Sequence, residues 1–179
     1  MSSQNNSVDM EILKEFQTES KNLIEELISI LEKCEGDFSQ AKSLETYGQT
    51  VDRIMGGAKS LGLEMNPGSV LHKIGDFTAL CKAVSYKASQ ITDNPQFYEI
   101  CVAFLLDATE TLADMIDKFF ETTAENFKDL FSQTFLDRLK WISAQFGSGY
   151  RSTVATPKDK SDKLSQNEID DLLKKLGLV

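Results

Sequence analysis

This chain of 179 residues lacks several features that mark common functional classes. It has one histidine, His72, and three cysteines without a Cys-x-x-Cys pair, so a structural zinc site is not expected. A net charge of −9 argues against general binding to nucleic acid or to anionic membranes. No apolar run is long enough to span a membrane, and the N-terminus lacks the pattern of a signal peptide.

The rest of the composition is that of an ordinary globular protein, with 41% hydrophobic and 26% charged residues. The length fits one domain with appendages. Cys34, Cys81 and Cys101 are widely spaced and lie among apolar residues. We therefore expect buried, free thiols and a cytoplasmic location.

Apolar residues recur at helical spacing along most of the chain, and no segment alternates with period two. After a loose N-terminus (1–8), helices are predicted at about 9–34, 40–61, 69–90 and from Pro95 to about Phe146. Short turns between them predict an all-α fold with an antiparallel four-helix bundle over 9–146. The last helix is unusually long, which leaves open a break near Thr122-Thr123 or an extension beyond the bundle.

The second predicted helix contains Gly56-Gly57, although each interior glycine costs roughly 1 kcal/mol relative to alanine. The segment Val51–Gly62 resembles the signature of histidine phosphotransfer (HPt) domains, His-x-x-Lys-Gly-x-x-x-x-Leu-Gly. Asp52 occupies the position of the phosphorylated histidine, and Met55 that of the lysine. The resemblance implies an HPt-like scaffold in which phosphotransfer is lost. The glycines would then serve either helix packing or a docking surface for a partner.

The segment Glu125–Leu139 carries the main functional hypothesis. Its helical pattern predicts a buried stripe that consists of Phe127, Phe131, Phe135, Leu139, Ile142 and Phe146. Asp129 and Gln133 are four residues apart, so on one helix they would lie one above the other, in solvent, with Lys140 further along that face. By itself such a pair is more typical of a solvated helix face than of a site.

Residues Asn126–Gln133 resemble the active helix of the CheZ family, phosphatases that act on the chemotaxis response regulator CheY. The family motif is Asp-x-x-x-Gln, often preceded by Asp-Phe-x, and Asp129, Gln133 and Phe127 match it. The resemblance implies that Gln133 orients the attacking water and that Asp129 contacts a lysine of the regulator. Mg²⁺ would belong to the regulator, so no cofactor is expected on this chain.

The C-terminal region begins with a predicted flexible linker, 147–163. A helix over 164–177 is then predicted by a capping box of Ser165 and Glu168, a hydrophobic staple of Leu164 and Ile169, and Gly177 at its end. Such a short helix is marginal alone and its stripe has no obvious core nearby, so we expect it to fold into a partner's groove. The alternative is that it packs back on the bundle.

The sequence LSQNEIDDLLKKLGL resembles the C-terminal CheY-binding peptide of the CheZ family, and also the N-terminal CheY-binding segment of the flagellar switch protein FliM. The resemblance implies that this tail tethers a phosphorylated CheY-type regulator. The predicted binding residues are Leu164, Ser165, Gln166, Glu168, Ile169, Asp170, Asp171, Leu172, Leu173 and Leu176. The alternatives are a non-catalytic adaptor that binds CheY and an active phosphotransfer protein, and a homodimer is compatible with each.

Overall fold

The computed structural model describes residues 10–65, 69–123, 125–146 and 166–178. These residues form helices and no strands, which confirms the all-α class. The predicted loose N-terminus, the turn at 66–68 and the linker at 147–163 lie outside the described residues. The elements are α1 (Met10–Cys34), a 3-10 helix (Phe38–Gln40), α2 (Ser43–Gly62), α3 (Val70–Ala88), α4 (Pro95–Asp117), a second 3-10 helix (Asn126–Leu130), α5 (Gln133–Gln145) and α6 (Gln166–Leu176).

The first four helices follow the predicted apolar periodicity closely. In α1 the buried residues recur every three or four positions, as a core-facing stripe requires. The start of α4 is defined by Asn94, whose side chain accepts a hydrogen bond from the backbone N–H of Phe97 at 3.0 Å. Pro95 follows at the first helical position, where its missing N–H leaves no bond unmade.

Contacts among α1–α4 close into a ring, because α1 packs against α2 and α4 while α3 packs against the same two helices. Residues later in α2 contact residues earlier in α3, so the two helices run antiparallel. Three contacts give this register: Gly48 with Tyr86, Asp52 with Lys82, and Gly62 with His72. No described helix has the length and apolar character required to cross a membrane.

Side chains of α3 pack tightly against Gly48 of α2. A Cβ atom added there would lie 2.8 Å from Cε2 of Tyr86 and 2.9 Å from Oγ of Ser85. Real Cβ atoms do not approach other heavy atoms so closely, so an alanine here would force the side chains of Tyr86 and Ser85 to shift.

The prediction of a single long helix from Pro95 to Phe146 is wrong. Helix α4 ends at Asp117, and α5 begins at Gln133 and packs back against α4. Had α4 continued, Phe135 would lie roughly 27 Å beyond Asp117 along the axis. The actual break lets Phe135 stack on Phe104 of α4, with ring centroids 4.9 Å apart. The alternative of a break near Thr122-Thr123 is therefore closer to the structure, although α4 ends before that point.

Candidate functional site

Gln133 is the first residue of α5, and its position is defined by a helix cap. Ser132 has extended backbone angles (φ −75°, ψ 154°), and its Oγ accepts a hydrogen bond from the backbone N–H of Phe135 at 3.1 Å. Serine is among the best N-cap residues because it satisfies one of the unpaired N–H groups of the first turn. The cap therefore holds the backbone that carries Gln133.

A cluster of aromatic rings holds this segment against the rest of the protein. Phe127 is fully buried, and its ring centroid lies 5.5 Å from that of Phe131. Phe131 in turn lies 5.3 Å from Phe77 of α3 and 5.6 Å from Phe135. Tilted ring contacts at these distances are favourable beyond simple area burial. The predicted stripe is buried except at Phe131, which is partly buried, and its residues come from a 3-10 helix, an extended link and α5.

Asp129 and Gln133 are both exposed, as predicted, but they do not share an α-helix. Asp129 belongs to the second 3-10 helix, and Phe131 between them is extended (φ −108°, ψ 123°). The expectation that the two side chains lie one above the other on a regular helix is therefore wrong. The buried Phe127 and the partly buried Phe131 both pack against the core, and the extended backbone at Phe131 interrupts the helical register. Lys140 is exposed on α5, as expected.

The partner of Gln133 within the structure is Asp137, one helical turn along α5. Gln133 Nε2 donates a hydrogen bond to Asp137 Oδ1 at 2.8 Å. An amide has two N–H donors and a carbonyl acceptor, so this contact leaves one donor and the acceptor for other groups. We refer to Asp129, Gln133 and Asp137 together as the Gln133 site.

A groove of about 270 Å³ lies beside the Gln133 site, between α4 and the start of α5. Three acids of α4 line it, namely Asp107, Glu110 and Asp114. Arg138 of α5 lines it too and forms an ion pair with Asp107. The groove therefore presents more negative than positive groups, which suits a cationic side chain of another molecule.

Asp52, at the position of the HPt histidine, lies on the α2–α3 surface and is 44% exposed. Its Oδ1 is 2.6 Å from Nζ of Lys82 on α3. Burial raises the pKa of the neighbouring Tyr86 hydroxyl, and the charges of Asp52 and Glu45 raise it further. The Asp52 carboxylate is thus already paired with a lysine, and a carboxylate lacks the imidazole nitrogen that carries phosphate in a phosphotransfer histidine.

The two adjacent glycines of α2 have different surroundings. A Cβ atom at Gly57 would lie 3.0 Å from the ring of Phe16 in α1, so this glycine serves helix packing. Gly56 is exposed, and a Cβ atom there would meet nothing within 4 Å. Packing therefore explains Gly57, whereas no contact among the described residues explains Gly56.

The tail helix α6 packs on the rest of the molecule, mainly against α3. Its apolar residues are buried: Ile169, Leu172, Leu173 and Leu176. The expectation that this stripe has no core nearby is therefore wrong, and the alternative of packing back describes the structure. Asp170 and Asp171 are exposed. Of the remaining predicted tail residues, Leu164 and Ser165 and the side chains of Gln166 and Glu168 lie outside the described part.

The three cysteines are free and buried, as predicted. Burial raises the pKa of the Cys81 thiol to about 12 and also raises the pKa values of Cys34 and Cys101. A nucleophilic cysteine needs a lowered pKa and access to solvent, so these thiols have a packing role. Within the residues that the structure describes, no cluster of three metal-ligating side chains occurs.

Sequence reasoning missed one residue of the Gln133 site, Asp137, and the cap that supports the site, Ser132. Ser132 precedes the apolar pattern of α5 in the way an N-cap does, and this signal was available in the sequence. Asp137 follows Gln133 by four residues, the spacing at which helical side chains meet. Comparison with protein-family models, with curated proteins and with solved structures gives no match to this chain.

Proposed function

We propose that this protein is a phosphatase that accelerates loss of the aspartyl phosphate from a CheY-type response regulator. The observation that carries the proposal is the exposed amide of Gln133, held at the capped start of α5. An amide in the first turn of a helix can reach into the active site of another protein. The aromatic cluster holds the rest of this segment in place while it does so.

The reaction is hydrolysis of an acyl phosphate. A water attacks phosphorus, the bond between phosphorus and the aspartyl oxygen breaks, and carboxylate and inorganic phosphate result. The Gln133 amide would accept a hydrogen bond from the water while donating to the phosphoryl group, which places the water in line. Positioning and electrostatics dominate phosphoryl transfer, and the regulator's own Mg²⁺ would supply the charge.

The role proposed for Asp129 is contact with a lysine of the regulator. Its exposure supports this role, as does the acidic groove beside the site, lined by Asp107, Glu110 and Asp114. A cation that enters this groove would be attracted by several carboxylates at once. Asp129 would then act as a positioning residue, since it would not touch the reacting phosphate.

For the scaffold we propose a degenerate HPt-like antiparallel four-helix bundle formed by α1–α4. The ring of contacts and the antiparallel α2–α3 pair support it. Phosphotransfer is not part of the proposal, because Asp52 is ion-paired with Lys82 and stands where a histidine is needed. We place the protein in the cytoplasm, where its partner acts, and a homodimer is compatible with this function.

The decisive experiment follows inorganic phosphate release from a phosphorylated CheY-type regulator with Mg²⁺, with and without the protein. We expect acceleration that Gln133→Ala lowers at least about tenfold, roughly 1.4 kcal/mol of transition-state stabilisation. Gln145→Ala is the matched control, since Gln145 is an exposed glutamine at the other end of α5. Equal rates for the two variants would reject the role of Gln133.

The second candidate is a non-catalytic adaptor that binds the regulator through its tail. The interrupted register between Asp129 and Gln133 favours it, because the two side chains are not presented by one regular helix. The same assay separates the candidates. An adaptor binds the phosphorylated regulator and leaves the lifetime of its phosphate unchanged.

A further inference from the structure

The apolar stripe of the tail helix α6, which a regulator would have to bind, is already packed against the rest of the molecule. The coverage is nearly complete: Ile169 is 1% exposed, Leu172 8%, Leu173 2% and Leu176 1%. The groove that receives this stripe is formed mainly by α3, with a smaller contribution from α5. The solvent face of the helix consists of charged residues: Asp170, Asp171, Lys174 and Lys175.

Polar contacts at the C-terminal end of α6 also help to hold the helix on α3. Gly177 has a positive φ of 74°, and the backbone N–H of Leu178 donates to the carbonyl of Leu173 at 2.9 Å, a glycine-dependent helix stop. Lys73 of α3 donates from Nζ to the carbonyl of Lys175 at 2.6 Å. A cation at a helix C-terminus meets unpaired carbonyls and the negative end of the helix dipole. The cap of α6 is thus completed by a residue of the receiving helix.

An eleven-residue helix is marginal alone, so α6 needs a surface to remain folded. The groove on α3 and α5 is that surface in the free protein. Because the tail is covalently attached, its effective concentration near the groove is of millimolar order, and weak contacts suffice to hold it. Departure of α6 leaves the contacts among α1–α4 intact, so the tail can exchange between two binding surfaces.

We propose that α3 and α5 hold α6 in a closed state, and that a response regulator must displace the helix from this groove to bind the tail. The identity of the competitor rests on the function proposed above. One apolar stripe cannot occupy two grooves, so the apparent affinity for the regulator is reduced by the fraction of molecules that are open. Release would also uncover the groove next to α5, the helix that carries Gln133.

Hydrogen exchange of the full chain, without any regulator, tests the closed state by itself. We expect the amides of residues 170–176 to exchange at least about tenfold more slowly than in a synthetic peptide of residues 164–179. Lys73→Glu should accelerate their exchange, because it puts an anion against the carbonyls that Lys73 now caps. Lys33→Glu, at an exposed lysine of α1, is the control with the same change of charge.

Two results would overturn the closed state. The first is exchange of the tail amides in the unsubstituted chain as fast as in the peptide. The second is protection that disappears on dilution, which would assign the groove to the tail of a second copy. Lys73→Ala, which removes the hydrogen bond without adding a charge, gives an independent check if Lys73→Glu perturbs folding.

Titration of a phosphorylated regulator then tests displacement. We expect Lys73→Glu to bind about three- to tenfold more tightly than the unsubstituted chain, whereas Lys33→Glu binds equally. If the peptide binds the regulator but Lys73→Glu gives no gain, displacement is wrong. A third outcome is that the tail amides are protected but neither the peptide nor the chain binds a regulator. The proposed function then fails, while the exchange data still support the closed state of α6.

Discussion

Two surfaces of this molecule carry residues that resemble signalling motifs, and they differ in how their polar groups are used. At Asp52, in the middle of α2, a carboxylate is paired with Lys82 across a close helix–helix contact. At Gln133, a neutral amide stands at the start of a short helix and donates to Asp137, an exposed side chain of the same helix. The first arrangement ties two helices of one protein together. The second leaves an exposed amide that can exchange its hydrogen bond for one to another protein at little cost in free energy.

The largest effect is expected from the aromatic cluster of Phe127, Phe131 and Phe135, which supports the Gln133 surface. Phe127→Ala should lower the free energy of unfolding by about 3–5 kcal/mol, because Phe127 is fully buried in the ring cluster. Phe120→Ala is the matched control, since Phe120 is 43% exposed and should cost about 1 kcal/mol or less. Urea denaturation followed by circular dichroism measures both. Equal losses would mean that Phe127 is not an anchor.

A smaller effect is expected at the cap of α5. Ser132→Ala should cost about 1 kcal/mol of stability, because the N–H of Phe135 loses its acceptor. The first turn of α5 would then fray, and the acceleration of phosphate release should fall with it. Ser132→Asp restores an acceptor at the same position and should recover both properties. A loss of activity that Ser132→Asp does not repair would show that the hydroxyl acts in some other way.

The smallest effect is expected at Asp52. Asp52→Asn weakens a partly exposed ion pair, so its cost should be about 0–1 kcal/mol, and phosphate release should be unchanged. The variant should lower the pKa of Tyr86, because a negative charge that opposes ionisation is removed, while burial keeps that pKa above its ordinary value. Absorbance titration at alkaline pH measures this shift. If Asp52→Asn lost the proposed acceleration of phosphate release, the functional surface would have to be assigned to α2.

The burial pattern was predictable from the sequence, whereas the path of the chain was not. Phe127, Phe135 and Leu139 are buried as predicted, since removal of large apolar side chains from water drives folding. The break before Gln133 depends on Phe104 and Phe77, which are distant in sequence and invisible to a periodicity argument. Ser132 did signal a helix start, but the apolar pattern runs through it without a gap.

The tail shows the same division between local and distant information. Gly177 ends α6 as predicted, since the signal is contained in the segment itself. The surface that covers Leu172 and Leu173 belongs to α3, almost a hundred residues earlier, and nothing in the tail identifies it. Local signals therefore predict that a helix forms, while its location requires knowledge of the shape it fits.

The absence of one methyl group at Gly48 has consequences along the whole length of α3. Tyr86 meets Gly48 near the C-terminal end of α3, and Lys73, which caps the tail helix, lies roughly 20 Å away near the other end. Close-packed interiors transmit strain, so we expect an alanine at position 48 to displace the side chains of Tyr86 and Ser85 and to strain α3. A substitution at one end of α3 would in this way weaken the contact that holds the tail helix near the other end.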